Sequence, residues 1–263
     1  MKKYIFMAVA GMLALSSCSN DDNEQTPQNT PRQMTFTAGF GDDAQMRASL
    51  NDKKVTFDAP DYISILSENN NNVKFTTTAG GASATFTGSA ADDATYYAIY
   101  PYQDYLSLLG TTIAGLEIPS DQSAAASTTC GWDPAAPLAY ATTTGTSFTF
   151  HNLCALLKVT NDKTDAVDIT IADLDMTTQM TGIFDYDTST GTLTGGGYTM
   201  VAVQGVPAGK TVYIAIAPCT VGNLVAVCFD GGGAGCKTKA SVAFEAGKIY
   251  NLGNTSTWTD PLP

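Results

Sequence analysis

Apolar and polar residues alternate in short runs along most of this chain. The first clear run is MTFTAGF, residues 34–40. In an extended strand its Met34, Phe36, Ala38 and Phe40 share one face, and Thr35, Thr37 and Gly39 share the other. KVTFDAPDYISIL follows at 54–66, then four asparagines at 69–72 that predict a turn. VKFTTT, ATFTGS and YYAIYPY keep the rhythm, each a β-branched or aromatic run closed by Gly, Asn, Asp or Pro. Residues 106–145 are less regular, with Pro119, Pro134, Pro137 and an Ala/Ser stretch, and predict a loop-rich crossing. A second set of runs begins with SFTFHNLCALLKVT at 147–160. It continues through VDITIAD, TGIFDYD, TMVAV, TVYIAIA, LVAVCFD, ASVAFEA and KIYNLG. Helical periodicity is missing from both sets. The pattern predicts an all-β chain of two tandem antiparallel β-sandwich domains, 34–145 and 146–263.

The amino terminus has a different character. Met1, Lys2 and Lys3 form a basic head, and Tyr4–Leu15 is an apolar core too short to span a bilayer. Residues 1–17 therefore read as a signal peptide. Leu15-Ser16-Ser17-Cys18 resembles a lipobox: cleavage before Cys18 would expose one thiol and one new amino group for acylation, for example by palmitate. Two or three acyl chains give stable anchoring where one alone is marginal. Ser19–Glu24 resembles the acidic export signal of some surface lipoproteins of Gram-negative bacteria. Residues 18–33, polar with Thr-Pro pairs at 26–27 and 30–31, read as a lipidated disordered tether. The expected address is the outer face of the outer membrane.

Charge narrows the partners. The 263 residues carry 13 basic and 25 acidic side chains, a net charge of −12, and removing Lys2 and Lys3 takes this to −14. Such a balance argues against nucleic acid and against adsorption to anionic lipid through basic patches. Beyond Cys18 there are five cysteines: Cys130, Cys154, Cys219, Cys228 and Cys236. Cys154 and Cys219 read as small buried hydrophobes. Cys228 and Cys236 flank FDGGGAG and are the candidate pair for a disulfide across a hairpin. With no CxxC spacing and His151 as the single histidine, a zinc site is not expected.

Other motifs reduce to turns. GVPAGKT, 205–211, is one residue short of a phosphate-binding loop and leads into a strand rather than a helix. DYDTSTG, 185–191, has the alternating oxygens of a calcium loop but places Thr190 where Gly is needed and Gly196 where Glu is needed. GGGAG, 231–235, reads as a hairpin. Asp42-Asp43 and Asp92-Asp93 are adjacent pairs, which point to opposite faces of a strand and do not converge. The sequence predicts no enzyme, no catalytic residues, no metal and no cofactor. One cluster stands out: Tyr96, Tyr97, Tyr100, Tyr102 and Tyr105. It reads as a half-buried strand, or alternatively as the ligand platform of a surface glycan-binding lipoprotein.

Taken in order, MTFTAGFGDDAQMRASLNDKKVTFDAPDYISIL, ATFTGS and YYAIYPY resemble the N-terminal half of the fimbrillin-like family, the type V pilins. FHNLCALLKVT, VYIAIAP and FEAGKIYNLG resemble its C-terminal half. The resemblance spans residues 34–253 and departs at Phe57, where Trp is common, and Pro60, where Gly is common. It implies a transthyretin-like fold and a lipidated precursor that an Arg-specific protease cuts after the first strand. That strand leaves, and a strand from another subunit fills its groove, building a fimbrium that serves cell adhesion. The position matching the cleavage site is Arg47, and the exchangeable strand is that of Met34, Phe36, Ala38 and Phe40. Arg32 precedes that strand, so cutting there would open no groove. The implied partners are other pilin subunits, the outer membrane through the lipid, and a host or glycan receptor. The ten residues after KIYNLG are a short donor, which fits a tip, anchor or accessory subunit better than a stalk subunit.

Overall fold

The structure, a computed structural model, describes residues 30–41, 56–123, 131, 133, 135–136, 138–231 and 233–260. Cys18, the signal peptide and Arg47 lie outside the described residues. The N-terminal half contains β1 (Arg32–Phe40), β2 (Tyr62–Ser67), β3 (Asn70–Thr77), β4 (Ser83–Ala90) and β5 (Tyr96–Tyr100). Then come β6 (Ser107–Leu109), β7 (Thr112–Ile118), β8 (Asp121–Ser123), β9 (Ala139–Thr143) and β10 (Ser147–Asn152). Four of these strands fall inside 106–145, where the sequence suggests mostly loop.

In place of a first sandwich, seven strands close into a barrel in the order β1-β10-β9-β5-β2-β3-β4. Closure follows from β1, which pairs antiparallel with β4 on one side and parallel with β10 on the other. Bulky rings fill the interior: Phe36, Phe57, Phe75, Phe86, Phe148 and Phe150 are all buried. Gly88 on β4 is needed because a Cβ there would lie 2.6 Å from the Phe75 ring. The domain division expected between residues 145 and 146 falls in the turn joining β9 to β10, both of them barrel strands.

The C-terminal half continues with β11 (Ala155–Thr160), β12 (Val167–Asp173), β13 (Gly182–Asp187), β14 (Thr192–Gly195) and β15 (Met200–Val206). It ends with β16 (Thr211–Ile216), β17 (Cys219–Phe229), β18 (Ala234–Phe244) and β19 (Ile249–Asn254). A three-stranded sheet, β16-β11-β19, and a five-stranded sheet, β18-β17-β12-β15-β8, share one core that includes Leu157, Ile169, Val201, Ile214 and Leu224. A third sheet, β14-β13-β7-β6, contributes Ile113, Leu116, Phe184 and Tyr186 to another core. That core also holds Leu66 and Ile99 from the barrel and Leu156 and Ala215 from the three-stranded sheet. The predicted sheets were wholly antiparallel; the pairings β1–β10, β11–β19 and β8–β15 are parallel.

Candidate functional site

The first strand begins two residues before Met34, at Arg32. The Arg32 guanidinium donates to both carboxylate oxygens of Asp92, at 2.9 and 2.6 Å. This pairing holds the Asp92 carboxyl below its usual range. Alternation along β1 is as the sequence indicates. Phe36 and Ala38 are buried, Met34 and Phe40 are half-buried against the same core, and Thr35 and Thr37 are exposed. The Phe36 ring packs on Phe75, Tyr96 and Phe148, and the Phe40 ring on Phe57, Tyr100 and Phe150.

The two flanks of β1 are unequal. Against β4 the register runs from Arg32↔Ala90 to Gly39↔Ser83. Against β10 it covers only Thr37↔Ser147 to Phe40↔Phe150. Side chains reinforce that shorter flank, with Thr37 Oγ1 and Ser147 Oγ 2.8 Å apart. On its far side β4 meets β3 only at Thr76↔Thr87 and Thr77↔Phe86. Most of what holds β4 in the barrel is therefore β1. β1 is the first strand among the described residues and is joined to the strands that follow through residues 42–55, so one break there separates it covalently from them.

At the other end of the chain, Thr255–Thr257 form a 3-10 turn and Trp258 is buried in the C-terminal core. The segment then runs beside the free edge of β18. The Cys236 amide donates to the Trp258 carbonyl at 3.1 Å, and the Asp260 amide donates to the Cys236 carbonyl at 2.8 Å. Asp260 also accepts from the Thr238 amide at 2.7 Å. Asp162 receives the Ser256 amide at 2.8 Å, fixing the turn from below. Sequence reasoning missed this clip; a lone Trp in a polar run was the available signal.

The five tyrosines do not share one surface. Tyr96 is buried in the barrel, its hydroxyl donating to the Ala91 carbonyl at 3.1 Å and accepting from the Asp93 amide at 2.7 Å. Tyr97 packs outward on Tyr140, and Tyr100 packs inward on Phe57 while its hydroxyl donates to Asp61 at 3.1 Å. Both faces of β5 are covered, one by the barrel core and the other by the core under the four-stranded sheet. Tyr105, on the turn after β5, is the one exposed member; Tyr97, Tyr100 and Tyr102 are half-buried.

The proposed disulfide is not formed, and Cys228 and Cys236 are both free thiols. The hairpin ladder sets Cys228 opposite Gly235 and Cys236 opposite Val227. Cross-strand partners share a face and neighbours alternate, so the two thiols sit on opposite faces of the sheet. Burial pushes the Cys154 thiol up to about 12 and the Cys219 thiol up to about 11, which leaves both inert as nucleophiles. Among the described residues no group of three or more His, Cys, Asp or Glu side chains converges as a metal site. The calcium-like DYDTSTG stretch is the turn between β13 and β14, with Asp187 accepting from Ser189.

This architecture is similar to that of two solved proteins. One is a candidate cell adhesion protein from Bacteroides ovatus, 13% identical, with a TM-score of 0.55 over 85% of this chain and 92% of that one. The other is a candidate cell adhesion protein from Bacteroides uniformis, 19% identical, with a TM-score of 0.55 over 84% of this chain and 92% of that one. At these identities the likeness is one of fold. No family model matches the sequence, and no curated protein matches it.

Proposed function

We propose that this chain is a lipid-anchored surface protein of fimbrillin type, an accessory, tip or anchor subunit of an adhesive pilus assembled by protease-triggered strand exchange. The observation that carries this reading is the place of β1. It is the first of the described strands, it closes the barrel, it is paired on both sides only from Thr37 to Gly39, and the segment that follows it contains Arg47. Hydrolysis of the Arg47–Ala48 bond would free β1 with its phenylalanines. Each large side chain withdrawn from the core costs about 1.5–3 kcal/mol. The exposed edges of β4 and β10 would then accept a strand from a second subunit, and a head-to-tail contact of that kind makes a filament. The similarity of fold to the two candidate adhesion proteins supports an adhesive role at the cell surface.

The C-terminal clip favours a terminal place over a stalk place. Its residues already bind their own β18, so this segment is not free to act as a donor strand. An Arg-specific protease should cut the purified precursor after Arg47, and the pieces should stay associated until heated. With β1 removed, the protein should form heat-resistant oligomers when a stalk subunit is added, whereas Arg47→Ala should stay monomeric. A cut protein that lacks β1 and remains a stable monomer beside every stalk subunit would exclude strand exchange. Lipidation is tested separately. An alkyne fatty acid fed to cells should label the wild type and not Cys18→Ala, and equal labelling of both removes the anchor from the proposal.

A further inference from the structure

The turn after β5 builds a cleft of about 450 Å³ whose walls include Tyr102, Gln103, Asp104, Tyr105, Gly115 and Glu117. Its backbone is held from several directions. The Tyr102 amide donates to the Tyr62 carbonyl at 3.0 Å. The Gln103 amide donates to Ser64 Oγ at 3.2 Å, and Asn72 Nδ2 donates to the Gln103 and Asp104 carbonyls at 2.7 and 2.9 Å. The Gln103 side chain pairs like a strand with Glu117, donating to its carbonyl at 2.8 Å and accepting from its amide at 2.9 Å. Gly115 sits at φ +89°, and a Cβ there would lie 2.8 Å from the Tyr105 carbonyl oxygen, so the β7 backbone is pressed against the turn. Lys74 Nζ lies 4.4 Å from the Tyr102 ring centroid and 4.2 Å from that of Tyr62, pinning the Tyr102 ring.

On this fixed turn the Tyr105 side chain is 91% exposed. So exposed a ring contributes little to the fold, while its anchored backbone lowers the entropy cost of using it for binding. Asp104 and Glu117 line the cleft, none of its described lining residues is basic, and the neighbouring Lys74 ammonium is engaged with the Tyr62 and Tyr102 rings. Anions are therefore disfavoured, and a ligand with several hydroxyl donors and an apolar C–H face is favoured. That combination is the chemistry of a sugar ring. We infer that the Tyr102–Tyr105 turn and Glu117 form a binding site for a neutral oligosaccharide, which stacks on Tyr105 and hydrogen-bonds to Asp104 and Glu117. The site is separate from the β1 seam and does not depend on strand exchange.

The test uses the intact soluble protein on a printed array of neutral oligosaccharides, with a panel of Lys- and Arg-rich peptides beside it. The strongest array hit is then titrated against 15N-labelled protein. The expected result is binding of at least one neutral glycan, with amide shifts at Tyr105 and Gly115. Tyr105→Ala should weaken binding about tenfold or more, as expected for a stacked aromatic anchor. Glu117→Gln should weaken binding while leaving the amide spectrum folded, and Tyr198→Ala, at an exposed tyrosine outside the cleft, should change nothing. A blank array, glycan binding that Tyr105→Ala leaves intact, or binding confined to the cationic peptides overturns the assignment.

Discussion

Phe36 and Phe148 meet inside the barrel with ring centroids 5.0 Å apart, joining its first strand in the chain to its last. Phe36→Ala removes a ring that is fully enclosed. Loss of such a ring, with the cavity it leaves, costs about 3–5 kcal/mol. Thr35→Ala, one residue away but on the solvent face, should stay within about 0.5 kcal/mol of wild type. Urea unfolding of both variants checks the contrast, and equal losses would mean that the two faces of β1 are wrongly assigned.

The C-terminal clip should be a structural part of its domain. Trp258→Ala should destabilise the protein by about 3–5 kcal/mol, as for other enclosed aromatic residues. Hydrogen exchange should also speed up at the Cys236 and Asp260 amides, which the clip protects. Unchanged stability together with unchanged exchange would show that the segment is not docked.

Asp173 provides a pH dependence of definite sign. Its burial works to raise the carboxyl pKa, but the amides of Thr178, Thr177 and Asp175 donate to the carboxylate and leave it below the ordinary value. A depressed folded pKa means that stability is fully present above the unfolded carboxylate pKa and is lost as pH falls below that value through the folded one. Asp173→Asn should therefore cost about 1–3 kcal/mol at neutral pH. Its deficit against wild type should shrink as pH drops below about 4. Parallel denaturation curves at pH 7 and pH 3 measure the difference, and a deficit that grows on acidification would contradict this assignment.

Thiol chemistry gives a covalent check on register. Alkylation of the unreduced, denatured protein should label both Cys228 and Cys236, because the ladder keeps them on opposite faces. In the folded protein Cys154, with its thiol raised to about 12 by burial, should resist the same reagent at pH 8. Peptide mapping that recovers a Cys228–Cys236 disulfide would require a shifted hairpin.

The inward face of β1 was legible in the sequence because its two faces meet different surroundings: phenylalanines meet a core and threonines meet water. The same contrast marks β12 and β13, where buried and exposed residues alternate. YYAIYPY was harder to read. Tyrosine suits both a core and a surface, so covering both faces of β5 left no alternation to detect. Strands β6 and β8 were invisible because each has three residues and the stretch around them is broken by prolines. Barrel closure and the parallel pairings are long-range registers, which no local pattern records. Of the candidate sites, the core-facing side of β1 could be read directly. The cleft around Tyr105 could not, since Gln103 and Glu117 come together only when the turn after β5 folds onto β7.

Pairing between β1 and β10 also sets the order in which the barrel can form. Thr37 meets Ser147, a residue 110 positions later in the chain. In a chain synthesised from its N-terminus, β1 emerges first and can meet β4 well before β10 arrives. Contacts of such long sequence separation slow folding, because the loop must close before the pairing is gained. A ribbon of β1 and β4 formed before then would carry Phe36 and Phe40 on a surface with one unsealed edge, and such species are prone to pairing with neighbours. Where β1 and β4 pair first, the timing of β10 decides how long that edge is exposed.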